Sequence, residues 1–176
     1  EVIWNHVSRY RGGSVERNKA QMPVQVNGDF ITVKMREQIT APQYLKEGLD
    51  SKKDNNVLFY YTGLTKSPAR LTGNIILVHE TIDQVNQPRM AWIYNAGQRR
   101  VRRAPQVAYD APRGGTEGLN TSDQLDMYNG APNKYEWNLL GKKEVYIPYN
   151  SYKLADPEAK YGDIVQPGHI NPDYAR

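Results

Sequence analysis

The residues best suited to bind an anion or to form ion pairs are a short basic cluster of arginines. Four guanidinium groups lie within five consecutive positions: Arg99, Arg100, Arg102 and Arg103. Guanidinium forks match the oxygens of carboxylates and phosphates. We expect Arg102 or Arg103 to form an ion pair with Asp123 or Asp126. Contact with anionic lipid headgroups or a partner protein is the second interpretation. A solvated edge strand, whose like charges prevent edge-to-edge pairing, is the third.

Residues typical of catalysis and metal binding are sparse. The three histidines, His6, His79 and His169, show no short metal-ligand spacing. The absence of cysteine excludes disulfides, thiolate zinc sites and iron–sulfur clusters. Phosphate-binding loops, dinucleotide fingerprints and nucleophile elbows are missing from the sequence. We therefore expect no metal, no cofactor and no enzymatic activity, with a hydrolase kept as a third functional alternative.

The net charge of +4 is compatible with an anionic partner. Arg11-Gly12-Gly13 and Arg113-Gly114-Gly115 resemble RNA-binding elements, but two isolated copies do not form a tract. No RNA-recognition or helix-turn-helix pattern accompanies them. The sequence thus predicts no nucleic-acid partner. It also contains no run of the roughly 20 apolar residues that a membrane helix needs.

Aromatic and aliphatic residues in predicted strands are candidates for the wall of an apolar cavity. The chain has 13 Tyr and 3 Trp against 2 Phe, and Tyr and Trp suit surfaces with one apolar and one wet side. Alternation along a strand puts Ile76 with Val78, and Trp92 with Tyr94, on common faces. We expect these four to share the concave face of one sheet with Trp137 and Tyr146. The same residues could instead form an ordinary core, and the sequence leaves both interpretations open.

The elements that position these residues are mostly strands. Asn27-Gly28 predicts a tight hairpin turn between Ser14–Val26 and Asp29–Ile39. A short amphipathic helix is expected at residues 2–10, and another that begins at Thr121 or Ser122. A helix is favoured over a strand at residues 55–64, with Asn55 or Asn56 as its cap. Further strands are expected at residues 70–81, 89–94, 98–103, 134–140 and 142–149, and loops at residues 40–56 and 105–118.

These elements indicate an α+β fold, a mostly antiparallel curved sheet with two or three short helices. We expect residues 1–154 to form part of one β-domain, which further strands outside this sequence would complete. Residues 155–176 are rich in proline and are expected to be an extended tail or connector.

Several motifs together resemble one bacterial family. Trp92-Ile93-Tyr94 precedes a turn and the basic cluster, and Ser122-Asp123 follows. The other matching pieces are Trp4–His6, Arg9–Gly13, Leu77–Thr81, Gly97–Pro105, Asp126–Pro132 and Tyr146–Tyr152. They span nearly the whole chain and resemble the domain of unknown function 1329 (DUF1329) family. In one departure, Ala96 stands where the usual turn residue is proline, which is harmless in a turn that continues into Gly97.

The resemblance implies more than the residues themselves indicate. Members of this family are exported by Gram-negative bacteria and are similar to the LolA/LolB lipoprotein carriers, whose unclosed barrel holds an apolar cavity under a helical lid. It therefore implies a periplasmic, non-enzymatic binding or carrier protein for a lipid, a lipoprotein acyl chain or another hydrophobic ligand. An envelope transporter or outer-membrane protein would be its partner, with possible outer-membrane association. The alternative is a structural interaction subunit of a cell-envelope transport complex.

Overall fold

The structure is a computed structural model that describes residues 1–45, 56–105, 107–167 and 169–174. The described residues form two compact units. The first comprises Glu1–Gln21 and Thr32–Glu136, and the second comprises Met22–Ile31 and Trp137–Arg176. The predicted domain of residues 1–154 stays a prediction. Asn55 and most of the predicted loop at residues 40–56 lie outside the described residues.

The first unit is built on a six-stranded antiparallel sheet. Its strands are β1 (Ser14–Gln21), β2 (Val33–Thr40), β3 (Val57–Ser67), β4 (Ile75–Thr81), β5 (Met90–Asn95) and β6 (Arg100–Arg103). Each strand pairs with the next along the chain, and β1 and β6 are the two edges. The sheet is therefore unclosed, and the predicted α+β class with a mostly antiparallel curved sheet is confirmed.

The pairing register decides which side chains share a face. Ile76 lies opposite Ile93 of β5, and Val78 lies opposite Ala91. Since alternate residues point to opposite faces, these four side chains lie on one side of the sheet. Register shifts at Lys34/Met35 and at Val57/Phe59 interrupt the regular pairing, and irregularities of this kind bend strands. A cavity lies against the side that carries these four side chains. We call this side the concave face.

A short helix and several 3-10 turns complete the first unit. Helix α1 (Val2–Ser8) confirms the predicted N-terminal helix. Its Val7 packs with Ala41, Leu58 and Phe59 in a buried apolar core. The predicted cap at Thr121 is confirmed, but the helix expected after it is only a three-residue turn. Thr121 caps a 3-10 turn at Ser122–Gln124 through reciprocal side-chain hydrogen bonds. Further 3-10 turns lie at Pro42–Tyr44, Ala69–Leu71 and Pro132–Lys134.

The second unit contains the predicted turn at Asn27-Gly28. The Gly28 amide donates to the Gln25 carbonyl at 2.9 Å, and Gly28 has a φ of +89° that favours glycine. An isolated antiparallel bridge between Val24 and Phe30 flanks the turn. The prediction of a tight turn between antiparallel strands is confirmed, but the strands are shorter than predicted, ending at Gln21 and resuming at Val33.

Residues 155–176, predicted to be an extended tail or connector, contain short regular elements in the second unit. A 3-10 turn (Tyr152–Ala155) and helix α2 (Tyr161–Ile164) precede a two-stranded hairpin. The hairpin consists of β7 (Val165–Gln166) and β8 (His169–Ile170). Neither α-helix of the described residues has the length and apolar character needed to cross a membrane.

Two predictions in the sheet region are wrong. The helix favoured at residues 55–64 is strand β3, because this run of aromatic and aliphatic residues gains hydrogen-bonded neighbours on both sides, β2 and β4. The strand predicted to begin at Arg70 begins at Ile75. A 3-10 turn at Ala69–Leu71 and Gly73, with φ +86°, come first.

The strands predicted at residues 134–140 and 142–149 are also wrong. No strand is present at residues 135–150, all of which the structure describes, and Gly141 has a φ of +81°. Strand composition alone does not form a strand, because a strand also needs a neighbour that completes its backbone hydrogen bonds.

The apolar core that anchors α1 leads to a test of stability. Leu58 is 4% exposed and sits in this core. Replacement by alanine should lower the free energy of unfolding by about 2–5 kcal/mol, because it removes buried methyl groups and leaves a cavity. Urea unfolding followed by tryptophan fluorescence measures the change.

Leu119→Ala is the matched control, because Leu119 is 61% exposed. Its free energy of unfolding should change by less than about 0.5 kcal/mol. Equal effects of the two substitutions would contradict the placement of Leu58 in the core.

Candidate functional site

A cavity of about 680 Å³ lies against the concave face in the first unit. Strands β2 to β5 supply its floor, and Ala104 and residues 107–125 contribute much of the remaining lining. Gln21, Leu71, Asn74 and Arg89 complete it. Its apolar lining includes Val33, Met35, Phe59, Ile76, Val78 and Ile93. Ile93 is 40% exposed, so the cavity is open to solvent near β5.

The segment at residues 107–125 is fixed by backbone hydrogen bonds. The Arg113 amide donates to the Asn120 carbonyl at 2.9 Å, and the Ser122 amide donates to the Ala111 carbonyl at 2.9 Å. Gly115 approaches the sheet so closely that an added Cβ would lie 3.3 Å from Val33 Cγ1, and its φ is +75°. Glycine is needed at residue 115 for both reasons. This segment therefore covers part of the concave face as an ordered structure.

Asp126 joins the end of this segment to the N-terminal region. Its carboxylate forms ion pairs with Arg9 and with Arg11, the latter at 3.0 Å. The His6 ring also contacts the Asp126 carbonyl at 2.9 Å. Burial opposes ionisation, but the hydrogen bond from Arg11 and the charge of Arg9 outweigh it and lower the pKa of Asp126. Asp126 therefore stabilises the position of α1 beside the cavity.

The expected ion pairs between the basic cluster and the acidic residues are not formed. Asp126 pairs with Arg9 and Arg11, and the buried Asp123 accepts hydrogen bonds from Tyr135 and from Thr121. Within the part of the chain that the structure describes, neither aspartate pairs with Arg102 or Arg103. Both arginines lie exposed on the edge strand β6, together with Arg100, and Arg99 sits in the preceding turn. This placement agrees with the solvated edge-strand interpretation.

Glu37 is a fully buried carboxylate on the concave face. Its exposure is 0%, and three donors surround it. Lys19 Nζ lies 2.7 Å from Oε1, Arg17 Nε lies 2.7 Å from Oε2, and the Tyr61 hydroxyl lies 2.6 Å from Oε1. Burial alone would raise the pKa of Glu37, but the bonds from Lys19, Tyr61 and Arg17 outweigh burial and lower it to about 2. Burial and the bond to Glu37 raise the pKa of Tyr61.

A second buried charge pair is formed by Glu80, near the C-terminal end of β4, and Arg89, which precedes β5. Arg89 Nε is 3.1 Å from Glu80 Oε1, and Asn129 donates to Glu80 Oε2 at 2.8 Å. Both charged residues line the cavity. Burial raises the pKa of Glu80, while the charge of Arg89 and the bond from Asn129 oppose that rise. The pair holds one positive and one negative charge, so this end of the cavity is balanced when both are ionised.

Arg113 adds a further cation to the cavity lining. Its side chain is half-buried, and among the described residues it forms no ion pair. Its positive charge is close enough to lower the pKa of Lys19, after the larger effect of burial. Arg113 is thus a cation beside the Glu37 cluster whose guanidinium remains available to a ligand.

The predicted cavity residues separate into three groups. Ile76 and Val78 line the cavity. Trp92 lies opposite Leu77, and Tyr94 lies opposite Ile75, so both point away from the side that carries Ile76. The prediction that they share the concave face is wrong, because the β4–β5 register pairs Ile76 with Ile93 and not with Trp92.

Trp137 and Tyr146 lie in the second unit and outside any sheet. Trp137 is 47% exposed, and Tyr146 is fully exposed. Their predicted place on the concave face is therefore wrong, because the strands that would have carried them there are absent.

On the face of the sheet opposite the cavity, Trp92 packs against His79. The His79 ring lies 4.7 Å from the Tyr60 ring and 4.9 Å from the Trp92 ring, both in edge-on geometry. Burial lowers the pKa of His79. The three rings form a row across β3, β4 and β5, and such cross-strand aromatic pairs stabilise a sheet. His79 therefore has a packing role.

The charged residues of the site were missed from the sequence, although a signal was present. Glu37 follows Val33 and Met35 at alternate positions, and Glu80 follows Val78 in the same way. A charged residue in the inward register of an otherwise apolar strand face indicates a buried ion pair or a functional group. The partners Arg17 and Lys19 could not be found, because they belong to another strand.

Residues 1–45, 56–105, 107–167 and 169–174 contain no group of three His, Asp or Glu side chains arranged to hold a metal ion. The candidate site is an apolar cavity whose lining also holds the Glu80–Arg89 charge pair and the cation Arg113. The Glu37 cluster lies in the adjoining β1–β2 region of the sheet.

Comparison with known proteins gives a consistent result. A family model described as "Protein of unknown function (DUF1329)" matches residues 1–176. An uncharacterized protein of Pseudomonas aeruginosa, PA3922, is 58% identical over 176 residues, and the chain spans 38% of its length. The crystal structure of a DUF1329 family protein from Desulfovibrio piger is 20% identical, with a TM-score of 0.46. That match covers 73% of this chain and 49% of the other.

The buried carboxylate of Glu37 predicts a specific pH dependence. Its pKa is about 2 in the folded protein and near the ordinary 4.5 when unfolded. The unfolded chain therefore binds the proton first. The resulting stabilisation is complete above about pH 4.5 and is lost as the pH falls toward 2, by about 3 kcal/mol. Glu37→Gln should remove this part of the pH dependence, measured by urea unfolding between pH 7 and pH 2.5.

Glu16→Gln is the control, since Glu16 pairs with Arg36 on the solvent-exposed face of the same two strands. It should change the pH profile much less, because water screens that pair. Identical profiles for wild type and Glu37→Gln would contradict the role assigned to the Glu37 cluster.

Proposed function

The chain belongs to the DUF1329 family, and we propose that it is a non-enzymatic protein that binds a hydrophobic ligand in the cavity of its first unit. The observation that carries the proposal is the cavity itself, about 680 Å³ against the concave face of an unclosed sheet. Small-molecule sites in proteins are commonly concave, mostly apolar and roughly 300–1,000 Å³ in volume.

The chemistry of the lining supports binding rather than catalysis. Its floor is aliphatic and aromatic, and Val78 and Phe59 are buried while Ile93 stays accessible. Glu37 and Glu80 are both engaged by cations, and loss of one partner of a buried ion pair is strongly destabilising, which gives both carboxylates a structural role. An acyl chain or another hydrophobe would gain free energy by leaving water for this surface.

Within this proposal the protein is a carrier for a lipid or a lipoprotein acyl chain in the periplasm of a Gram-negative bacterium. The open side near Ile93 would let a ligand enter and leave without unfolding of the sheet. Cell fractionation of the full-length protein, with lipid extraction from the purified periplasmic form, tests both the location and the cargo. A cytoplasmic location, or a protein that carries no lipid, would count against the carrier role.

A second candidate is a structural interaction subunit of an envelope complex. One observation favours it: apolar side chains along residues 139–149 of the second unit stand in solvent. The exposed set comprises Leu139, Leu140, Val145, Tyr146, Ile147 and Tyr149. Exposed apolar segments of this extent are typical of contact surfaces. A photo-reactive residue in place of Tyr146 should crosslink to a partner protein in cells if this candidate is right.

A test of the cavity uses two neighbouring residues on β4. Ile76 faces the cavity, and Leu77 faces the opposite side. Ile76→Trp should fill the space and weaken binding of the neutral fluorescent probe N-phenyl-1-naphthylamine at least about tenfold, a change of about 1.4 kcal/mol. Leu77→Trp adds the same volume on the other face and should leave the affinity close to that of the wild type. Fluorescence titration of the full-length protein measures both.

A second variant, Ile93→Asp, should fold normally, because Ile93 is 40% exposed and a charge at this position stays in contact with water. It should also weaken probe binding while circular dichroism remains that of the wild type. Lack of probe binding by the wild type, or equal losses in the Leu77 and Ile76 variants, would contradict the proposed site.

A further inference from the structure

We infer that the ligand of this cavity is amphipathic and anionic, and that Arg113, supported by Lys19 and Arg17, binds its carboxylate or phosphate head. The apolar tail then lies along the floor formed by β3, β4 and β5. The inference rests on the proposed function, because it names the class of ligand that the same cavity takes.

The charges of the β1–β2 cluster and of Arg113 in the adjoining cavity lining do not balance. Arg17, Lys19 and Arg113 supply three positive charges, and Glu37 supplies one negative charge, which leaves an excess of two. Glu37 carries one negative charge, which Arg17 and Lys19 already engage, and Arg113 forms no ion pair with it among the described residues. A guanidinium in a partly dry site favours an anion beside it.

The opposite end of the cavity lacks this excess. When both are ionised, Glu80 and Arg89 form a one-to-one pair, with Asn129 as an additional donor. An anionic group is therefore attracted to one end only. This asymmetry orients a ligand that has one charged and one apolar end.

The apolar floor starts directly beside the cationic cluster. In the sheet register Glu37 lies opposite Gly63, Gly63 lies opposite Ile76, and Ile76 lies opposite Ile93. These positions form one cross-strand row on the concave face. A single alkyl chain whose head contacts Arg113 can follow this row toward the open side at Ile93. Nucleic acids and acidic peptides lack such a tail and fit this surface less well.

The experiment compares three ligands of equal chain length on the full-length protein. Decanoate, decyl phosphate and decanol each compete with N-phenyl-1-naphthylamine, and the two anions should compete about tenfold better than decanol at low salt. Their advantage should shrink at high salt, because salt screens the attraction of accessible charges. The larger advantage of decanoate or of decyl phosphate identifies the preferred head group, and either supports the inference.

Arg113→Gln should weaken binding of the two anions about tenfold and leave that of decanol unchanged. Arg113→Lys should restore part of the anion affinity, which a merely structural arginine would not predict. Arg100→Gln on the exposed strand β6 removes the same charge elsewhere and should change neither.

The possible failures can be told apart. Equal competition by all three ligands, with no selective effect of Arg113→Gln, would overturn the inference and leave the proposed hydrophobic site intact. Absence of probe binding by the wild-type protein would overturn the proposed function, and the inference with it.

Discussion

The sheet depends on the neutralisation of one buried charge. The Glu37 carboxylate has no contact with solvent, and a buried carboxylate without partners would be strongly destabilising. Its oxygens are satisfied by Arg17 and Lys19 from β1 and by Tyr61 from β3. Since β1 is an edge strand with backbone hydrogen bonds on one side only, these contacts fix the edge to the middle of the sheet. They also place cations next to an apolar floor.

An unclosed sheet has to cover its apolar face with other parts of the chain. Helix α1 covers one region through Val7, and the segment at residues 107–125 covers another, where Gly115 lets the backbone approach Val33. Asp126 connects the two through Arg9 and Arg11. The cover is incomplete, and the remaining space is the cavity. The open edge of the sheet and the presence of the cavity thus have the same cause.

Local patterns predicted much of the fold. Alternation identified β5, Asn27-Gly28 identified a turn, and the side chain of Thr121 identified a helical start, because each depends on neighbouring residues. The wrong predictions concern segments whose secondary structure depends on a neighbouring strand that is distant in the sequence. Residues 55–64 became a strand because β2 and β4 lie on either side, and residues 134–149 formed no strand although their composition allowed one. The composition of a segment shows that it can form a strand, but it does not show whether another strand lies beside it to pair with.

The same division holds for the site. Alternation by itself determined that Ile76 shares a face with Val78, and Trp92 with Tyr94, since side chains in any strand repeat every two residues. Only the tertiary structure decided which pair faces the cavity. The register of β4 and β5 sets Ile76 opposite Ile93, and an offset of one residue would have exchanged the faces. Likewise, the partners of buried charges come from separate strands. Register and long-range ion pairing depend on how the whole sheet packs, and no local pattern in the chain encodes them.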